Sequence, residues 1–154
     1  MKRKYIAVIY DDRTQNNLRQ WCNENNFNLG YDYNGDVQDP GKFDFHTTLF
    51  YTTSMHDDLP EEPGYKLIES HRVIPAGFEM LGQEKDIPVI IMEPSGMIQQ
   101  LRQKYEAVGM KDAWPEYKPH VSLSYAKELV ETSSLKLPDF PLTFNKVVIK
   151  DLLE

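Results

Sequence analysis

The sequence predicts an α+β domain built from two similar, pseudo-symmetric βαβ-containing lobes around a central cleft. Two observations carry that expectation. The order strand, helix, loop, strand occurs in residues 4–53 and again in residues 87–125, and each copy ends in a strand that reads His, any residue, hydroxyl, apolar. A chain of 154 residues has the size of one ordinary domain, so residues 1–154 are expected to fold as one unit with the two lobes intertwined.

Lys4 to Tyr10 is β-branched and alternating, the pattern of a half-buried strand. Asp11, Asp12 and Thr14 then offer helix-starting side chains, and Leu18, Trp21 and Cys22 recur at helical spacing, which predicts a helix ending near Asn25. Gly30, Asn34-Gly35 and Pro40-Gly41 mark residues 29–42 as a loop or short hairpin. Phe43 to Thr53 is the strongest strand pattern. Strict alternation would put Phe43, Phe45, Thr47, Leu49 and Tyr51 on one face, and Asp44, His46, Thr48, Phe50 and Thr52 on the other.

In the second half, strands are expected over residues 65–74, 78–81 and 87–92, with a turn over 82–86. Pro94-Ser95 opens a helix whose apolar stripe is Met97, Ile98, Leu101, Tyr105 and Val108, with Gly109 at its stop. Trp114 to Pro119 is a loop leading into the strand His120 to Tyr125. Residues 126–141 form a linking excursion, and Phe144 to Leu153 a last strand.

Composition excludes several classes. One cysteine, Cys22, allows no intrachain disulfide and no multi-thiolate metal site, which fits a reducing compartment and a cytoplasmic location. No run of about eighteen apolar residues predicts a membrane span. A formal charge of −7, with Lys and Arg scattered singly after the amino-terminal cluster, argues against a partner such as long nucleic acid. A small charged ligand in a local pocket remains open.

His46-Thr47-Thr48-Leu49 and His120-Val121-Ser122-Leu123 are the chemistry-bearing stretches. In a strand, a side chain and the one two residues later point the same way, so each motif presents an imidazole beside a hydroxyl. If the two motif strands sit centrally about a pseudo-twofold axis, both pairs converge on one cleft. Imidazole titrates near neutrality, so one ring can accept a proton while its partner donates one, and the hydroxyls can hold a phosphoryl oxygen. One such motif alone is weak evidence. Two on matched strands are not. His56 and His71 lack the pattern and read as solvated surface. A metal site is disfavoured, since the chain has no HExxH and no paired cysteine, and Asp44 would be a lone carboxylate.

Both motifs, at these half-chain positions, resemble those of the two-histidine phosphoesterase superfamily, whose bilobal LigT-like fold surrounds an HxT/S pair. The stretch Gly109 to Tyr125 (GMKDAWPEYKPHVSLSY), with the strand Phe43 to Phe50, is similar to the phage anti-CBASS family. That resemblance implies a hydrolase of cyclic di- and trinucleotide signals. It would cleave 3′–5′ bonds by 2′-hydroxyl attack without a cofactor or metal, in the host cytoplasm when phage-encoded, and so aid immune evasion. Position by position, His46, Thr48, His120 and Ser122 match the family's catalytic motif.

For base or phosphate contacts the expectations are Tyr10, Trp114, Tyr117, Lys118 and Lys150. Each has core packing or a solvated charge as the alternative, and Tyr125 falls on the inward face. Two other functions fit the same residues: a 2′,3′-cyclic phosphodiesterase acting on RNA ends, and a protein that sequesters cyclic nucleotides without cutting them. The sequence does not say which histidine is the base.

Overall fold

The computed structural model describes residues 3–55, 65–93, 96–107, 109–110, 116–128 and 130–151. Strand β1 (Arg3–Tyr10) leads into helix α1 (Asp12–Glu24), which starts where Asp11 accepts a 2.9 Å bond from the Thr14 backbone N–H. That is the side-chain cap that an orphan helix N–H requires. The remaining elements are β2 (His46–Met55), β3 (Tyr65–Val73), β4 (Pro75–Leu81), β5 (Ile87–Met92), α2 (Gly96–Glu106), β6 (His120–Ser122) and β7 (Leu142–Asp151).

Among the described residues these strands form two antiparallel sheets, ordered β2-β1-β7-β3 and β4-β5-β6. The two units seen in the sequence recur as β1, α1, β2 and β5, α2, β6, and each motif strand pairs antiparallel with the strand that opens its unit. The motif strands are not central, as expected, but edge strands, and β2 lies against β6. An edge leaves one side of a strand unpaired, so another chain segment can approach it there.

The helices cross over. α1 covers the β4-β5-β6 sheet, with Trp21 stacked on Phe78 at 5.9 Å and Cys22 Sγ 3.9 Å from the Leu123 carbonyl. α2 covers the other sheet, where Tyr105 meets Phe50 edge-on at 6.5 Å and shares a 2.7 Å hydroxyl contact with Tyr65. One apolar cluster runs through both halves, from Ile6, Val8 and Leu18 to Ile90, Val121 and Val147, each at most 1% exposed. No helix among the described residues is long and apolar enough to cross a membrane.

Two strand expectations need correction. β2 begins at His46, because Phe43 and Phe45 pack in the core ahead of the ladder, with the Phe45 carbonyl accepting from Tyr10 N–H. The β1–β2 register also slips between Ile6, opposite Phe50, and Ala7, opposite Thr48. Such a bulge inserts one residue and reverses the alternation beyond it. Phe50 therefore sits in the core at 1% exposure instead of beside His46. β6 is likewise shorter than expected, so Ser124 turns inward, 5% exposed, and donates to the Asn28 carbonyl.

Candidate active site

Residues directly opposite in an antiparallel pair share a face. Ile9 faces His46 and Ala7 faces Thr48, while on the other side of β1 Tyr5 faces Lys150 and Ile9 faces Lys146. His46, Thr48, Tyr5 and Lys150 therefore share one surface of the first sheet, and Ala7 leaves room beside the Thr48 hydroxyl. In the second sheet Ile91 faces His120 and Val89 faces Ser122, with Glu79 next on the same face.

The two motifs are held alike. His46 Nδ1 donates to the Asp44 carbonyl at 3.2 Å, and His120 Nδ1 donates to the Lys118 carbonyl at 2.8 Å. A carbonyl can only accept, so in each neutral ring Nδ1 carries the proton and Nε2 is left with its lone pair. Each motif hydroxyl also has its own tyrosine. Thr48 Oγ1 donates to the Tyr5 hydroxyl at 3.2 Å, and Ser122 hydrogen-bonds the Tyr125 side chain.

The rings act on one another. Burial holds the His46 pKa below its ordinary value; the Asp44 carbonyl bond and carboxylate oppose this, while the positive charges of His120 and Lys150 add to it. His46 is thus biased toward the neutral, proton-accepting form and lies within electrostatic reach of His120. Burial pushes Tyr5 up to about 12, against the Thr48 hydrogen bond that lowers it, so its phenol stays neutral. The Tyr5 ring stands edge-on to His46 at 6.2 Å.

The expected binding residues fare unevenly. Tyr10 is not at the cleft: it is 2% exposed, and its hydroxyl shares a 2.6 Å bond with Thr47 and contacts Met92 Sδ at 3.2 Å. β1 alternates, so Tyr10 points with Ile6 and Val8 into the core while Tyr5 points out. Tyr117 is a support and not a free platform. Its hydroxyl donates to the Thr48 carbonyl at 2.8 Å, and the Arg102 guanidinium lies 3.7 Å over its ring.

Arg102 also stands 4.3 Å over Phe50 and donates to the Leu49 carbonyl. The loop entering the second motif is thereby tied to the backbone of the first. Lys118 pairs with Glu79 at 3.2 Å on the surface, an exchangeable ion pair, and Lys150 is exposed on the site face. Trp114 and His56 lie outside the described residues. His71 is half-buried against Phe144, 6.0 Å between rings, and is not fully solvated.

Tyr5 and Tyr125 were missed. Tyr5 was legible, since the face of β1 opposite Ile6, Val8 and Tyr10 had to look elsewhere. The alternation that would turn Tyr125 inward stops at Ser122. Two concavities lie apart from the histidines: one of about 260 Å³ lined by Ile98, Arg102, Glu106 and Tyr117, and one of about 440 Å³ beside Trp21 and Pro138. Neither contains an imidazole. Among the described residues no three His, Cys, Asp or Glu side chains cluster as metal ligands would.

Two antiparallel sheets with the imidazole–hydroxyl motif strands at their apposed edges make this a LigT-like fold. The structure of E. coli LigT complexed with 3′-AMP superimposes with a TM-score of 0.51 at 11% identity, covering 97% of this chain and 87% of that one. A family model described as "Anti-CBASS protein Acb1" matches residues 2–154, and the chain belongs to that family. No curated protein matches it in sequence.

Proposed function

We propose that this protein is a metal-independent phosphodiesterase that opens 3′–5′ bonds of cyclic di- and trinucleotides in the host cytoplasm, so countering CBASS antiphage defence. The observation that carries the reading is the pair of motifs, each with Nδ1 tied to a backbone carbonyl and its hydroxyl tied to a tyrosine. Family membership supports the anti-CBASS role, and the 3′-AMP held by the LigT relative supports a nucleotide ligand.

His46, biased toward its neutral form, is the better general base. Its Nε2 takes the proton of a ribose 2′-hydroxyl as that oxygen attacks phosphorus. The bond from phosphorus to the 5′-oxygen breaks, and His120 Nε2–H gives that oxygen its proton. The first product is a linear nucleotide ending in a 2′,3′-cyclic phosphate, and the proton count is unchanged. Thr48 and Ser122 hold the non-bridging oxygens as charge builds on them. Lys150 adds positive potential on the same face.

The test incubates the protein with a cyclic dinucleotide, its 2′-deoxy analogue and a chelator, and identifies products by mass. Cleavage of the ribose form alone, unaffected by the chelator, is expected. Cleavage of the deoxy form, or loss of activity on chelation, overturns the mechanism. Faster turnover of a short RNA ending in a 2′,3′-cyclic phosphate would reassign the substrate, and recovery of every cyclic nucleotide intact would make the protein a sequestering one.

A further inference from the structure

Residues 30–38 form a small, internally bonded hairpin beside the site. Tyr31 bridges Val37, Gln38 N–H donates to the Gly30 carbonyl at 2.9 Å, and the Asp32 carboxylate accepts from the backbone N–H groups of Asn34 and Asp36, each at 2.9 Å. Gly35 takes a φ of +85°, the left-handed turn conformation that other residues adopt only with strain. So many local bonds fix the backbone of the tip, yet the tip displays Tyr33, 73% exposed. A loop built merely to connect α1 to β2 has no need to order an aromatic ring in water.

The ring is not aimed at random. Tyr33 meets Tyr125 edge-on at 5.8 Å, and Tyr125 is stacked in turn on the buried Phe43 at 5.5 Å. The Tyr125 side chain is hydrogen-bonded to Ser122, one of the two motif hydroxyls. From the Ser122 hydroxyl to the exposed face of Tyr33 is therefore one hydrogen bond and one ring contact, a span on the order of 10 Å. That is comparable to the reach of a nucleotide from its phosphate to its base. The hydroxyls of Tyr33 and Tyr125 are both felt electrostatically at Tyr5, on the opposite side of the motif cleft.

We propose that Tyr33, braced by Tyr125 on the ordered hairpin, is a base-stacking platform for the nucleotide whose phosphate sits at Thr48 and Ser122. The inference rests on the nucleotide-cleaving reading above. Stacking suits the geometry because an aromatic face accepts any base, and because a ring carried on a hydrogen-bonded hairpin and set against Tyr125 has less freedom to lose on binding than one on an open loop. It assigns Tyr33 to affinity and not to proton transfer, since its ring contact is with Tyr125 and not with a motif imidazole or hydroxyl.

The test uses the whole protein, with cyclic di-AMP as substrate and its 2′-deoxy analogue as a non-cleavable ligand for calorimetric binding. Tyr33→Ala should weaken binding of the deoxy analogue by about 5- to 150-fold, the range for removing one base-stacking aromatic. KM should rise with kcat within about threefold of wild type, and Tyr33→Phe and Tyr33→Trp should keep wild-type affinity. Thermal unfolding unchanged in Tyr33→Ala would exclude a folding defect, as its exposure leads one to expect.

Equal affinity in Tyr33→Ala and wild type overturns the platform, as does a loss confined to kcat, or a wild type that binds neither ligand. If wild type binds the deoxy analogue but never cuts cyclic di-AMP, the enzymatic reading fails while Tyr33→Ala still decides the platform.

Discussion

The Thr48 hydroxyl donates to the Tyr5 hydroxyl at 3.2 Å, and the same Tyr5 ring stands 6.2 Å from His46, edge to face. One tyrosine thus touches both the imidazole and the hydroxyl of the first motif. Replacing it by Phe keeps the ring contact and removes the hydroxyl, so Thr48 is no longer held in one rotamer. A kcat lowered about tenfold with KM little changed is expected, short of the 10²–10³-fold loss typical when an oxyanion donor itself is deleted, which Thr48→Ala should show. Thr48→Ser should restore most of the rate. Steady-state kinetics on a cyclic dinucleotide check all three.

Tyr10, five residues on and facing the other way, should behave in the opposite manner. Its hydroxyl shares a 2.6 Å bond with fully buried Thr47. Tyr10→Phe strands that hydroxyl in the core, at a cost of about 1–3 kcal/mol. Lower denaturation midpoints with unaltered kcat and KM are expected; a large KM effect would place Tyr10 at the ligand after all.

On the proposed mechanism, loss of either motif imidazole would remove half of the proton-transfer pair. His46→Ala and His120→Ala should each lower kcat by about 10²–10⁴-fold. Both rings are half-buried on the site face, outside the apolar cluster, so folded far-ultraviolet spectra should persist. The double variant should be scarcely worse than either single one, because the two act as a unit. Additive losses would argue for independent roles.

The pH dependence has a definite sign. Burial depresses the pKa of His46, so it stays a base below 6.5, and the acid limb of kcat/KM should lie below that value. Lys150→Met removes a charge that lowers this pKa and should move the limb up; Asp44→Asn removes one that raises it and should move the limb down. For stability, the unfolded chain binds the proton first as pH falls. The contribution of neutral His46 is therefore intact above 6.5 and is lost progressively below it. Opposite displacements in the two variants would show that another group sets the limb.

Tyr117 spans the motifs, its hydroxyl on the Thr48 carbonyl at 2.8 Å while His120 is held three residues later in its own loop. Tyr117→Phe should cost about 1 kcal/mol of stability by the usual worth of such a bond. It should lower kcat more than it raises KM, as a displaced Thr48 weakens transition-state contacts first. A KM-only effect would instead make Tyr117 a ligand contact.

Much of this protein was readable one residue at a time. Period-two and period-3.6 patterns are local, so β1, α1, β5 and α2 fall close to where the apolar spacing put them, and the strand alternation in each motif aligned its histidine with its hydroxyl. The repeated motif was equally visible, because it needs only two residue types at a spacing of two.

What the chain could not disclose by local pattern depends on partners distant in sequence. The bulge that sends Phe50 inward is a property of the β1–β2 pairing and not of either strand alone. The placing of β2 and β6 at apposed edges, the crossing of α1 and α2 onto the opposite sheets, and the choice of Tyr5 over Tyr10 all follow from which faces could be buried together. So does Tyr125, whose strand ends three residues early, at Ser122. Side-chain periodicity determines which residues share a face; only the packing of two sheets decides which face becomes core and which becomes the cleft, since burial is a property of the assembled surfaces.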